Sequence, residues 1–510
     1  MKKFKKSISL VLALIMVIGL FTITPVTVGA AENNLQWAFD NATGVLTVSG
    51  EGKMDTDIYM YTAPWKKHKK EIKEVVIEEG ITTIANFTFS EHINLEKITL
   101  PNTLTKIGVS AFLECEKLTD IVIPASVTEI GTEAFRGCNS LETIVIPEKV
   151  TTLNAVFLNC ASLKNVTLPE GVTDLTGTFE NCDSLKKIDL PESVEILYST
   201  FSDCKNLKEI EVPGNVEVLE STFTGCKKLS KVKLNKGLKE ISFDAFKKCK
   251  NLTELKIPNG VKTIAYSVFA KSGLKTIKLP KTVKNFSGSA FNDTNKLEKI
   301  TVNKKNTKFK TVKGVLFNKN KTTLIAYPAA KGSTYTVPSN VKVIGESAFE
   351  GNKQLKSVKI PSSVKEIGSH AFNDCKKLSK VTFSEGLEEI GYGAFMACKK
   401  LKSVSFPESL EVIDSEAFDH CKNLMYITLC DGLEEIGSYA FAFCEKLMVV
   451  IVPDTVEEID EAAFGALCYL DEETKIPKRD QVKGFVLKGF KGSEAEKYCK
   501  EYGITFEAIY

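Results

Sequence analysis

Arginine is almost missing from this chain: of 67 Lys and Arg residues, only Arg136 and Arg479 are Arg. Arg supplies the planar, bidentate contacts that read phosphates and base edges, so its scarcity counts against a specific nucleic-acid reader. Histidine is scarce too. Four residues leave little material for metal binding or for acid–base work near neutral pH. No Cys-x-x-Cys, P-loop, His-Glu-x-x-His or Gly-x-Ser-x-Gly occurs. Asp55-Thr56-Asp57 is a calcium-like fragment without the rest of a calcium loop. These absences predict no catalytic residue, no cofactor and no metal site. Long apolar stretches are also lacking after the N-terminus. The longest run there is Leu447 to Val452, far short of the ~20 residues that span a bilayer.

What is present begins with an export signal. Lys2, Lys3, Lys5 and Lys6 precede an apolar run from Leu10 to Ile23, and Val28-Gly29-Ala30 supplies small residues. Charge, core and cleavage site in that order read as a secretory signal over residues 1–30, removed after Ala30 or Ala31. The formal net charge of +3 then falls to −1, because four lysines leave with the signal. The mature chain is expected to have no transmembrane segment, and to be secreted or held at the cell surface without a covalent anchor.

The remainder is one repeat. A phenylalanine after a small residue recurs at Phe89, Phe112, Phe135, Phe157, Phe179, Phe201, Phe223, Phe246, Phe269 and Phe291, and again from Phe349 to Phe464. Every step within the two runs is 22 or 23 residues. The unit reads A-F-x-x-C-x-x-L-x-x-I-x-I-P-x-x-V-x-x-I-G. Ile121-Val122-Ile123 alternates as a strand does, and Pro124 ends it for want of an N–H. The A-F-x-x-C stretch has the spacing of a helical turn. One unit cannot bury its own apolar residues, so stacking is required. Between Phe291 and Phe349 an irregular unit is expected around Gly314–Phe317 and Leu324–Pro328. From Phe157 to Phe223 each step is 22 residues, the lost residue lying just before the Phe. That loss is expected to reshape one edge of those coils.

Eleven of the fourteen cysteines share one slot, three after the Phe: Cys115, Cys138, Cys160, Cys182, Cys204, Cys226, Cys249, Cys375, Cys398, Cys421 and Cys444. His92, Thr294 and Asn352 fill it elsewhere. Parallel Cβ vectors in stacked coils do not converge for disulfides, so the slot predicts a structural ladder of buried free thiols. Cys430, Cys468 and Cys499 stand outside it.

The unit resembles the bacterial leucine-rich repeat of the BspA-like type. So do the ends: Trp37–Asp40, Thr43–Gly50 and Pro64-Trp65 resemble that family's N-terminal hairpin module, and Gly492–Tyr498 with Gly503–Phe506 its closing helix and strand. The fold expected is a repeat solenoid. It is a leucine-rich-repeat superhelix with a parallel β-sheet on one face and short helical turns on the other. A small β-rich N-terminal module would span residues 31–70, the solenoid 71–470 with an irregular insertion at about 300–345, and an α/β cap 471–510. The resemblance implies a non-catalytic adhesion module that contacts a host or bacterial surface protein or an acidic glycan through its extended repeat surface.

Charge is segregated along the repeats. Lys227 to Lys331 carries 26 Lys against five acids, a net of +21, and Glu385 to Thr474 a net of −15. Asymmetry of this kind concerns association and not fold. The outward strand positions run Asp189, Glu211, Lys233, Lys256, Lys278, so like charges should stack. Lys231, Lys233, Lys256, Lys278 and Lys299, with Asp189 and Glu211, are the candidate ligand-binding residues. Self-association of opposed charge blocks into an envelope structure is the alternative.

Overall fold

A computed structural model describes residues 26–30, 35–54, 63–470 and 477–510, with side chains for 35–54, 63–467 and 480–510. Residues 1–25 of the export signal, Asp55-Thr56-Asp57 and the side chain of Cys468 lie outside the described residues. Val26–Ala30 pairs antiparallel with Gln36–Asp40. No helix among the described residues is long and apolar enough to cross a membrane. The chain divides into two compact units, at Val172/Thr173.

The first unit opens with a hairpin, Gln36–Asp40 against Val45–Ser49, in which Phe39, Leu46 and Val48 face inward. Val45–Ser49 then pairs in parallel with Glu74–Ile77, which starts the stack of coils. Each coil adds one short strand in register: Val75 beside Ile98, Ile98 beside Ile121. Side chains alternate across a strand, so these residues form an inward column while Thr99, Val122 and Val145 face out. Val122 and Val145 are 76% and 65% exposed. The Phe rings stack behind the sheet, Phe89 to Phe112 at 5.5 Å and Phe112 to Phe135 at 5.2 Å.

The segments opposite the sheet hold little helix, one 3-10 turn at Gly288–Phe291 among them. They are consecutive tight turns: Leu113 N–H donates to Ser110 O, Cys115 N–H to Phe112 O and Leu118 N–H to Cys115 O. Ser110 and Glu114 adopt positive φ, 50° and 56°, which breaks any helix on either side of Phe112. In exchange, the N–H groups of Ser110, Phe112 and Glu114 turn outward to the carbonyls of Thr132, Ala134 and Arg136 in the next coil. Helix stays short because this inter-coil ladder satisfies the same backbone groups. The Gly of the motif has its own cause: a Cβ on Gly131 would lie 2.5 Å from the Val109 amide nitrogen of the preceding coil.

The second unit continues the pattern within itself. Ile210 pairs beside Val232, and Leu255, Ile277 and Ile300 line up in one column. In the 22-residue coils the motif Gly is the deleted residue, and with it goes the N–H that elsewhere meets the preceding second-strand carbonyl, as Gly131 meets Ile107. A threonine hydroxyl replaces it. Thr200 Oγ1 donates to Leu175 O at 2.8 Å, and Thr222 Oγ1 to Leu197 O at 2.9 Å. The altered edge here keeps one isolated bridge, Asp174 to Ile196, in place of two-residue strands.

The irregular unit is a meander. Phe309–Val312, Val315–Asn318 and Thr323–Ala326 pair antiparallel in turn, and Thr323–Ala326 rejoins the parallel stack beside Val343–Ile344. Tyr327 fills the Phe position: its ring stacks on Phe349 at 4.9 Å and its N–H donates to Ala348 O. The stack closes on a helix, Glu494–Tyr502, and a strand, Thr505–Ile509. Phe464 N–H has no further coil to meet and donates instead to the Tyr498 hydroxyl at 3.0 Å.

Candidate functional site

All seven charged residues singled out in the sequence line one groove of about 1060 Å³ on the sheet face of the second unit. Each strand of this stretch presents two outward positions, so the groove floor has two rows. Strand pairing fixes them over 209–233 and over 254–301, and the repeat interval aligns the rest. One row runs Lys187, Glu209, Lys231, Glu254, Thr276, Lys299; the other runs Asp189, Glu211, Lys233, Lys256, Lys278, Thr301. The first alternates in sign from Lys187 to Glu254 and passes through neutral Thr276 to Lys299. The second is blocked, acids followed by lysines.

The rows decide which charges remain available. Lys231 Nζ lies 3.7 Å from Glu209 and Lys187 Nζ 3.2 Å from Asp189. Lys233 forms an ion pair with Glu211 of the neighbouring strand. That bond, with a further donor from Asn235, holds the Glu211 carboxyl below the usual carboxylate range. Lys256, Lys278 and Lys299 have no carboxylate within ion-pair distance among the described residues, and all three are exposed. Lys256 stands directly opposite Lys278 in the ladder. Sequence reasoning grouped five lysines as equivalent; the structure separates two paired from three unpaired. Glu209 was missed, although its 22-residue offset from Lys231 matches that of Glu211 from Lys233. Glu192 and Glu254, also in the groove, carried no comparable signal.

The thiol slot lies behind this face. The eleven slot cysteines are buried free thiols. Each thiol with a described donor bond gives its S–H to the Phe carbonyl of the preceding coil, from 2.9 Å at Cys204–Phe179 to 3.4 Å at Cys138–Phe112. Burial pushes the Cys160 and Cys421 thiols up to about 12. Thr294, in the same slot, donates to Phe269 O at 2.6 Å, so the slot selects a small donor and not sulfur as such. His92 fits less well. Its burial pushes it down to about 4, and its Nε2 has no hydrogen-bond partner. Cys499 is a buried free thiol as well.

The four histidines stand apart. His68 lies by Glu71, His92 in the slot, His370 against Tyr392, and His420 against Asp419 and Phe443. Among the described residues no group of three or more His, Cys, Asp or Glu is placed to hold a metal ion.

The family described as "BspA type Leucine rich repeat region (6 copies)" matches residues 67–178, 154–221, 217–323 and 342–471. No curated protein sequence matches the chain. Among solved structures, a leucine-rich repeat protein from Bacteroides ovatus ATCC 8483 is 23% identical, with 93% of this chain and 100% of that one covered and a TM-score of 0.48. The pneumococcal vaccine antigen PcpA is 18% identical over 96% and 100% of the two chains, TM-score 0.45. A leucine rich cell surface protein from Faecalibacterium prausnitzii A2-165 is 21% identical over 92% and 96%, TM-score 0.36.

Proposed function

The chain belongs to the BspA-type leucine-rich repeat family, and on that premise we propose that it is a non-catalytic binding module of the extracellular space that takes an anionic surface ligand on its sheet face. The observation that carries this reading is the groove over residues 187–301. Its unpaired lysines face outward, and Lys256 and Lys278 oppose each other across the ladder. Like charges directly opposite are destabilising. They persist on a face whose neighbouring strands hold complementary pairs, as a surface kept for a ligand would. Export through the N-terminal signal and retention at the cell surface belong to the same proposal.

The test compares the wild type with Lys233→Glu, Lys256→Glu and Lys278→Glu combined, on heparin-like and cell-wall polymers at low and physiological salt. Each exposed contact contributes about 0–1 kcal/mol, so binding is micromolar only through several at once and weakens as salt rises. Equal binding by both proteins sends the ligand elsewhere, first to exposed Val122 and Val145.

Self-assembly is the second reading. It is supported by the +21 and −15 charge blocks and predicts a sedimentation coefficient that grows with concentration and collapses in salt.

A further inference from the structure

The groove discriminates within its anionic ligands, an inference that rests on the groove reading above. Three ion pairs, Lys187–Asp189, Lys231–Glu209 and Lys233–Glu211, neutralise one end of the floor internally. Lysines without a partner are confined to the other end, at Lys256, Lys278 and Lys299 in successive coils, where Glu254, opposite Thr276, is the one acid on the floor among the described residues. With parallel strands ~4.8 Å apart, these three coils span about 10 Å.

A uniform polyanion laid along the groove gains over this end. It then runs its next charges over Asp189, Glu192 and Glu211. A polypeptide can place its acids where the lysines are and neutral residues elsewhere. In an extended segment, side chains two residues apart point the same way at about 7 Å, inside that span. We propose that the groove takes an extended segment of a partner protein bearing an acid-x-acid pair, seated on Lys256, Lys278 and Lys299, with Lys231 and Lys233 serving as structural partners of Glu209 and Glu211.

The experiment uses the full chain with its lysines reductively methylated by a ¹³C reagent, which preserves their charge and gives each an NMR signal. The probes are a Gly/Ser peptide carrying one Glu-Ser-Glu, the same peptide with its two Glu at opposite ends, and a heparin oligosaccharide. The Glu-Ser-Glu peptide is expected to move the signals of Lys256, Lys278 and Lys299 and to leave those of Lys231 and Lys233 in place. Lys256→Gln with Lys278→Gln should weaken its binding about fivefold to tenfold, and removal of a whole pair, Lys233→Gln with Glu211→Gln, by less than about twofold. If the heparin oligosaccharide binds more tightly and moves all five signals, this inference falls and the groove reading stands. Equal binding of the split-glutamate peptide also overturns it. If no probe moves any groove lysine, the groove reading falls with it.

Discussion

Phe223 and Phe395 occupy equivalent slots in two stretches of the second unit whose outer faces differ completely. Inside, both stretches stack Phe rings, 5.4 Å from Phe223 to Phe246 and 4.9 Å from Phe372 to Phe395. Both also send a slot thiol to the preceding Phe carbonyl, at 3.0 Å from Cys226 and 3.3 Å from Cys398. Outside, the strands over 209–301 present Glu211, Lys233, Lys256 and Lys278, while those over 357–451 present Lys359, Thr382, Ser405, Thr428 and Ile451. The interior is what the coil needs to exist. The outward strand positions are free of that demand, so the difference between the stretches lies where a ligand would be met.

The largest expected effect treats both stretches alike. Burial pushes the thiols of both stretches above their unfolded range, Cys226 and Cys398 among them, and Cys421 up to about 12. A group whose folded pKa is raised stabilises fully below its unfolded pKa, near 9, and loses that contribution as pH rises toward 12. Each such thiol then removes about 1.4 kcal/mol per pH unit. Denaturant midpoints should fall steeply above pH 9, and fall less steeply when Cys204, Cys226, Cys398 and Cys421 are all Ser. Parallel profiles for the two proteins would break the claim of a common interior. Next in size, Phe223→Ala and Phe395→Ala should each cost about 3–5 kcal/mol by thermal or urea unfolding, since both rings are fully buried. A large inequality would mean that the stretches are held differently. Smaller again, Cys204→Ala and Cys398→Ala should cost about 1–2 kcal/mol each, and Cys→Thr less, as Thr294 already makes the bond. The smallest effect separates the stretches: Lys278→Thr should stabilise by about 0.2–1 kcal/mol through relief of Lys256, whereas Lys359→Thr should change nothing measurable.

The interior was readable because its signal repeats. The Phe, the thiol slot, the strand and its Pro each recur at a fixed interval, and a periodic requirement reveals itself against positions that vary. The kind of turn was less legible, because A-F-x-x-C spacing is shared by a helical turn and by consecutive tight turns. Only the left-handed residues, such as Ser110 and Glu114, distinguish them, and most of these are ordinary L-residues, with glycine at the same slots in only some coils, as at Gly137, Gly177 and Gly225. The threonine hydroxyl that replaces a lost Gly N–H at Thr200 and Thr222 was hidden for a related reason: the deletion is visible, and the orphaned carbonyl it leaves is not. At the groove, the lysines were readable one by one and their partners were not, since pairing depends on both outward rows at once.

The central claim is that binding resides in outward strand positions and can be moved without touching the core. The direct measurement starts from Lys256→Gln, Lys278→Gln and Lys299→Gln combined and adds Thr382→Lys, Ser405→Lys and Tyr426→Lys, the corresponding positions of the other stretch. Binding of the Glu-Ser-Glu peptide should be lost in the first protein and restored in the second, with stability shifted by no more than the roughly 1 kcal/mol that relieving or restoring a stacked lysine pair involves. Binding that survives the first change, or fails to return with the second in a folded protein, contradicts the account.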